Sequence, residues 1–209
     1  VDRLTAEVVQ RSLVISQVTD GAFDITVGPA VALWNFGAGQ KATAPLPTAE
    51  QLEAVRSVVG YQKLSVRLDP PALKKAVAGL QIDLSAIAKG FAVDQVAAAL
   101  EGAGATQYLV EVGGEVRTLG QNLERGPWRI GIEKPAETGR DVLAVAVLRD
   151  QSLATSGDYR NFQMIDGRKY SHTIDPRTCR PVEYGLASAS VVQENRERDG
   201  CMTADALAT

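Results

Sequence analysis

The sequence predicts an α+β fold: one domain over residues 1–209, built from mostly antiparallel sheet with helices packed against it. Three observations carry this. Strand-type patterns come in runs instead of alternating strictly with helices, which favours antiparallel pairing over a parallel α/β sheet. Asp166-Gly167 stands between Phe162-Gln-Met-Ile165 and Lys169-Tyr170, a strong hairpin signal. Finally, 209 residues with 45% hydrophobic content can bury one good-sized core, and no Pro-, Ser- or charge-rich linker divides them.

Taken in order, Leu4, Val8, Val9 and Leu13 lie at helical spacing within residues 2–18, and Asp20-Gly21 closes that helix with a turn. Thr48 followed by Gln51 forms a capping-box pattern, and Leu52, Val55, Val58 and Val59 make the apolar face of a second helix ending at Gly60. Lys63 to Asp69 alternates as a strand stopped by Pro70-Pro71, and residues 72–82, ambiguous alone, are expected to pair with it. The longest helix is expected from about Ser85, with Ala88, Phe91, Ala92, Val96, Ala99 and Leu100 on its buried face and Gly102 and Gly104 stopping it. Further strands are expected over 107–112, 116–119, 128–132, 142–148, on both sides of Asp166-Gly167, and over 187–192.

The net charge of −3 and the scattered basic residues give no field for nucleic acid. No apolar run approaches the roughly 20 residues that span a bilayer. Cys179 and Cys201 are isolated, without a Cys-x-x-Cys pair or a second histidine, which argues against a zinc site and favours two unpaired thiols. Val1-Asp-Arg-Leu is neither an initiator methionine nor a signal peptide, and Ala204-Asp-Ala-Leu-Ala-Thr209 reads as a helix just begun, so the chain is expected to be incomplete at both ends.

Four places carry potential chemistry. His172, the single histidine, lies in Tyr170-Ser-His-Thr-Ile-Asp-Pro176, where an Asp-Pro turn would fix its ring; it is a candidate general base, with a structural hydrogen bonder as the alternative. Ile82-Asp-Leu-Ser-Ala-Ile-Ala-Lys-Gly90 opens a helix with Lys89 placed for an anionic ligand, or is an ordinary helix cap. Asp205 and Thr209, four apart, put a carboxylate and a hydroxyl on one helical face, which is half of a magnesium site or a solvated pair. Gly113-Gly114 permits close backbone approach or simply turns the chain.

Six blocks then occur in order: Gly21-Ala-Phe-Asp-Ile-Thr-Val-Gly-Pro29 with Leu33-Trp-Asn-Phe-Gly37, Asp83-Leu-Ser-Ala-Ile-Ala-Lys-Gly-Phe-Ala-Val-Asp94, Val112-Gly-Gly-Glu115, Leu153-Ala-Thr-Ser-Gly-Asp-Tyr159, Ser171-His-Thr-Ile-Asp-Pro176 and Ala204-Asp-Ala-Leu-Ala-Thr209. Together they resemble the bacterial FAD:protein FMN transferases, the ApbE family. The resemblance implies an enzyme that uses Mg²⁺ to cleave FAD, moves FMN to a threonine or serine hydroxyl of a partner protein and releases AMP. It implies Asp205 and Thr209 as side-chain metal ligands, the Ala86 carbonyl as a third, Asp83 and Lys89 as FAD contacts, Trp34 and Asn35 in a segment lining the flavin-nucleotide pocket, and His172 as the base for the acceptor hydroxyl. It further implies the bacterial cell envelope, with any membrane association carried by a segment before Val1. Where the family usually has Gly, this chain has Cys179, a departure that strains the turn if its φ is positive. An FAD pyrophosphatase giving FMN and AMP, and a non-catalytic FAD-binding protein, are the alternative readings; the latter would need neither His172 nor Asp205.

Overall fold

The computed structural model describes residues 1–36, 45–135, 141–157, 162–183, 185–195 and 199–209. Its elements in chain order are α1 (Arg3–Val18), α2 (Gly28–Leu33), α3 (Ala49–Val58), β1 (Leu64–Leu68), β2 (Pro71–Lys75), α4 (Ala88–Gly102), β3 (Tyr108–Val112) and β4 (Glu115–Leu119). There follow β5 (Trp128–Glu133), β6 (Val142–Leu148), β7 (Gln151–Gly157), β8 (Phe162–Ile165), β9 (Arg168–Ser171), β10 (Ile174–Asp175), β11 (Arg180–Pro181), β12 (Ser188–Glu194) and α5 (Gly200–Ala208). Every ladder between these strands is antiparallel, so the class is α+β as the runs of strand pattern implied. Among the described residues no helix is long and apolar enough to cross a membrane.

The chain forms two compact units, Val1–Leu84 with Asn161–Gly185, and Ser85–Arg160 with Leu186–Thr209. In the first, Asp2 caps α1 by accepting from the Thr5 backbone N–H at 2.8 Å, and the helix packs over the β1–β2 hairpin. Leu4, expected on the inner face, is half-exposed, while Ala6, Val9, Ser12 and Ser16 turn inward. Asp20 and Gly21 both take positive φ, so the expected turn forms. The Thr48–Gln51 capping box is present in full. Pro70-Pro71 does end β1, yet β2 begins at Pro71 itself, opposite Leu68, because an edge position asks for no N–H from proline. Ala30, Trp34, Leu52, Val59, Tyr170, Ile174 and Cys179 form the core of this unit.

The second unit is a four-stranded sheet in the order β12-β7-β4-β3, with α4 and α5 against it and against each other. Here the expected α4 face is corrected. The helix starts at Ala88, and it buries Gly90, Val93, Asp94 and Ala97, whereas Val96 is 45% exposed. The reason is close packing: a Cβ on Gly90 would lie 2.4 Å from the Cys201 carbonyl oxygen, so a glycine face lets α4 touch the α5 backbone. The helix at the C-terminus begins at Gly200, earlier than the Ala204 start expected.

Candidate active site

The candidate side chains of the second unit lie where α4, α5 and β4 converge. Strand alternation puts Glu115 and Arg117 on the same side of β4, and both reach α4 with buried charge. Arg117 pairs with Asp94 at 2.7 Å. Burial pulls the guanidinium pKa down, but the hydrogen bond to Asp94 outweighs it and holds the group charged. Glu115 pairs through Oε1 with the Lys89 ammonium, which also lies 3.7 Å from Asp205 Oδ1. Asp205 Oδ2 accepts the Gly90 backbone N–H at 3.0 Å, and Thr209 Oγ1 donates to the Asp205 carbonyl at 3.2 Å. The structure thus brings Lys89 and Asp205 together, whereas the Thr209 hydroxyl is seen only on the Asp205 backbone carbonyl, and Ala86 lies in the turn that leads into α4.

The electrostatics are those of a site short of positive charge. Glu115 and Asp205 are 1% and 3% exposed, and one half-exposed lysine serves both. Burial raises the carboxyl pKa of Glu115 despite the Lys89 hydrogen bond, and the negative charge of Asp205 adds to the rise. Burial likewise raises Asp205, against the Gly90 N–H and Lys89. Glu115 Oε2 is buried without a hydrogen-bond partner. An orphaned carboxylate oxygen beside a second buried carboxylate fits a hard cation. Among the described residues no three His, Cys, Asp or Glu side chains gather as a metal cage, so any cation here would have Asp205 and the neighbouring Glu115 as its only candidate acidic side chains. That sparse oxygen set suits Mg²⁺, which keeps several waters or takes phosphate oxygens.

The other candidates belong to the first unit. Trp34 is buried in its core, where Nε1 donates to the Cys179 carbonyl at 2.8 Å and the indole tilts against Tyr170, ring centroids 5.5 Å apart. Trp34 therefore braces both flanks of the segment that carries His172. Asn35 takes φ +57°, and its carbonyl accepts from Gln163 Nε2 at 2.9 Å. Asp83 is held by its backbone N–H on the Ile25 carbonyl at 2.7 Å. His172 is half-buried between β9 and β10, with Ser171 Oγ accepting the Thr173 N–H at 3.1 Å. Gly37, Asp158 and Tyr159, which close two of the six blocks, lie outside the described residues.

Sequence reasoning missed Glu115 as a site residue, quoting it only as the end of a block. The signal that could have found it is the two-residue period of β4, which sets Glu115 and Arg117 on one buried side. Asp24, in the first block, has a structural part. Its carboxylate accepts from the Thr26 N–H, the Thr26 hydroxyl and the Tyr61 N–H, at 2.8, 2.7 and 2.6 Å, tying the Gly21–Pro29 stretch to the loop after α3.

The sequence profile of the ApbE family matches residues 1–209. The chain belongs to the ApbE family. Among curated relatives, the FAD:protein FMN transferase of Haemophilus influenzae is 44% identical over 207 residues, covering 98% of this chain and 58% of the relative. That of Vibrio cholerae is 43% identical over 205 residues, covering 98% and 59%. The solved flavin transferase ApbE from Vibrio cholerae superposes with a TM-score of 0.84 at 42% identity, over 100% of this chain and 63% of that one. The ApbE protein of Thermotoga maritima gives 0.86 at 33% identity, over 100% and 64%. This ApbE chain spans about three-fifths of the length of these relatives. The likeness of whole-chain structure supports the α+β class independently of the strand pattern.

Proposed function

We propose that this ApbE-family chain carries the catalytic part of an enzyme that, with Mg²⁺, transfers FMN from FAD to a threonine or serine hydroxyl of another protein and releases AMP. The observation that carries the reading is the Lys89 ammonium shared by two buried carboxylates, one of which has an orphaned oxygen. The names of the curated relatives support it. Asp205, Thr209 and the Ala86 carbonyl would hold Mg²⁺, which when bound offsets the negative charge of the pyrophosphate. Lys89 faces the phosphates as a second positive charge. The family resemblance is what names Asp83 and the Trp34–Asn35 segment as further FAD contacts. His172 receives the proton of the acceptor hydroxyl. The hydroxyl oxygen bonds to the FMN phosphorus as the bond from that phosphorus to the bridging oxygen breaks, and AMP departs with the bridging oxygen. With the family's location, the enzyme would act in the bacterial cell envelope.

The test uses the full-length protein with FAD, Mg²⁺ and an acceptor domain, read by intact mass of the acceptor and by AMP release. An acceptor heavier by FMN less water, formed together with AMP, is expected. FMN and AMP accumulating with the acceptor unchanged would replace transfer by FAD hydrolysis, and FAD binding without any AMP would leave a carrier protein.

A further inference from the structure

Glu115 sits differently from a lysine anchor. It is 1% exposed, Oε1 is taken by Lys89, and Oε2 has no hydrogen-bond partner. A carboxylate kept only to hold a lysine would have its second oxygen satisfied by backbone N–H groups, because a buried unpaired oxygen is costly. The turn beside it is also kept clear. A Cβ at Gly113 would stand 3.7 Å from Glu115 Oε2 and 3.1 Å from Lys89 Cδ, and Gly113 and Gly114 hold φ at +61° and +100°, so the bare backbone leaves room around both groups. Asp205 faces the same ammonium from α5, its Oδ1 at 3.7 Å.

We propose that Glu115 is a second carboxylate donor of the cation site, and that Lys89 sits between Glu115 and Asp205 as a stand-in charge until the cation arrives. This rests on the reading of Asp205 as a metal ligand. Two buried carboxyls 1% and 3% exposed share one ammonium, so ionising both leaves them under-neutralised, and a dication corrects what a lysine only halves. Arrival of the dication repels the ammonium. The Lys89 side chain is 44% exposed, so it has solvent to swing into, where it meets the phosphates of the substrate. Metal and lysine would thereby be loaded in sequence, the cation releasing the lysine for the anion.

The experiment is titration of Mg²⁺ alone, without FAD, into the full-length protein by calorimetry, with circular dichroism confirming the fold of each variant. Glu115→Gln keeps the shape and an oxygen for Lys89 but removes the charge; a loss of roughly tenfold or more in Mg²⁺ affinity is expected. Lys89→Met removes the competing charge and should bind Mg²⁺ more tightly than wild type, while FAD affinity falls. If Asp205→Asn weakens Mg²⁺ and Glu115→Gln does not, Glu115 is no donor while the Asp205 reading stands. If neither changes Mg²⁺ affinity, the cation site itself is misplaced and the proposal goes with it. Weaker Mg²⁺ binding in Lys89→Met would overturn the stand-in role. Should Glu115→Gln not fold, Glu115→Asp, which keeps the charge and withdraws the oxygen, takes its place with the same expected loss.

Discussion

The Asp94 carboxylate on α4 accepts the Met202 backbone N–H at 2.8 Å, in the first turn of α5. It also accepts from Cys201 N–H at 3.2 Å and from Arg117 at 2.7 Å. Asp199, the residue at the N-cap of α5, makes no side-chain capping bond, so a carboxylate from a neighbouring helix does that work and places a negative charge at the positive end of α5. Since α5 carries Asp205 and is followed directly by Thr209, the cap also fixes where those groups stand. Asp94→Ala leaves two N–H groups without this acceptor and takes from the buried Arg117 its shortest ion pair, with only Tyr108 and the more distant Glu101 remaining to it. A loss of about 3–5 kcal/mol in urea denaturation is expected, with weaker Mg²⁺ binding by the folded fraction. A variant as stable as wild type would show that the cap contributes nothing.

Cys179 has φ +55° and is fully buried, so a residue with a side chain occupies a left-handed position here. Ordinarily alanine is the better replacement at a buried site, since glycine adds backbone entropy to the unfolded chain. Here the order reverses. Cys179→Gly gives up the thiol contacts and sheds the left-handed penalty, whereas Cys179→Ala gives up the contacts and keeps it, so glycine should be the more stable by about 1 kcal/mol. Melting of the two variants side by side decides this. Burial also pushes the Cys179 thiol up to about 11, and that of Cys201 higher still. Both are protonated thiols at neutral pH, and a disulfide-exchange reagent should label neither until the protein unfolds.

How much was legible varies by element, for physical reasons. Capping and turn chemistry are local, so the Thr48–Gln51 box and the Asp166-Gly167 hairpin could be read directly. β7 was not expected at all. Gln151-Ser-Leu-Ala-Thr-Ser-Gly157 is polar and reads as loop, and it is a strand because β4 and β12 pair with it on either side. The α4 face was misread because the helix meets its neighbours through Gly90 and Asp94, one residue without a side chain and one charged, neither of which enters a hydrophobic period. In the site, Lys89 and Asp205 are each legible from local pattern, a helix opening and an i,i+4 pair, but only the fold brings them within 3.7 Å of each other. The period of β4 places Glu115 on a buried side, but not beside Lys89 and Asp205, because those partners come from two helices far away in sequence.

Tyr108 supplies a pH dependence. Its hydroxyl donates to Glu101 at 2.6 Å and accepts from Arg117 at 3.3 Å. Burial, with the Glu101 hydrogen bond adding to it, pushes the phenol up to about 12. The folded state therefore holds this proton more tightly than the unfolded chain, whose tyrosine titrates near 10. The associated stability is complete below about pH 10 and is lost as pH rises through about 12. Stability measured by urea across that window should fall more steeply for wild type than for Tyr108→Phe, which has no proton to lose. Equal slopes would mean that the phenol is not held in this way.

His172 separates a catalytic from a structural role for the segment after β9. The ring is half-buried, and the backbone around it is fixed from both sides: Tyr170 packs on Trp34, and the Cys179 carbonyl is bound by the Trp34 indole. Those braces lie in the core and do not depend on the imidazole. Removing the ring in His172→Ala should therefore leave the melting temperature and FAD affinity close to wild type. Transfer to the acceptor hydroxyl should fall by about 10²-fold or more, because a positioned base is worth roughly that much. The loss should appear in the single-turnover rate and not in FAD binding, which is the pattern of an interaction made only in the transition state. Added imidazole should restore part of the rate by entering the gap as a free base. A structural histidine gives the opposite pattern: a buried partner left unsatisfied, about 1–3 kcal/mol of stability lost, and little change in the rate of the folded fraction. A stable, FAD-binding His172→Ala that transfers FMN at near wild-type rate would remove His172 from the mechanism.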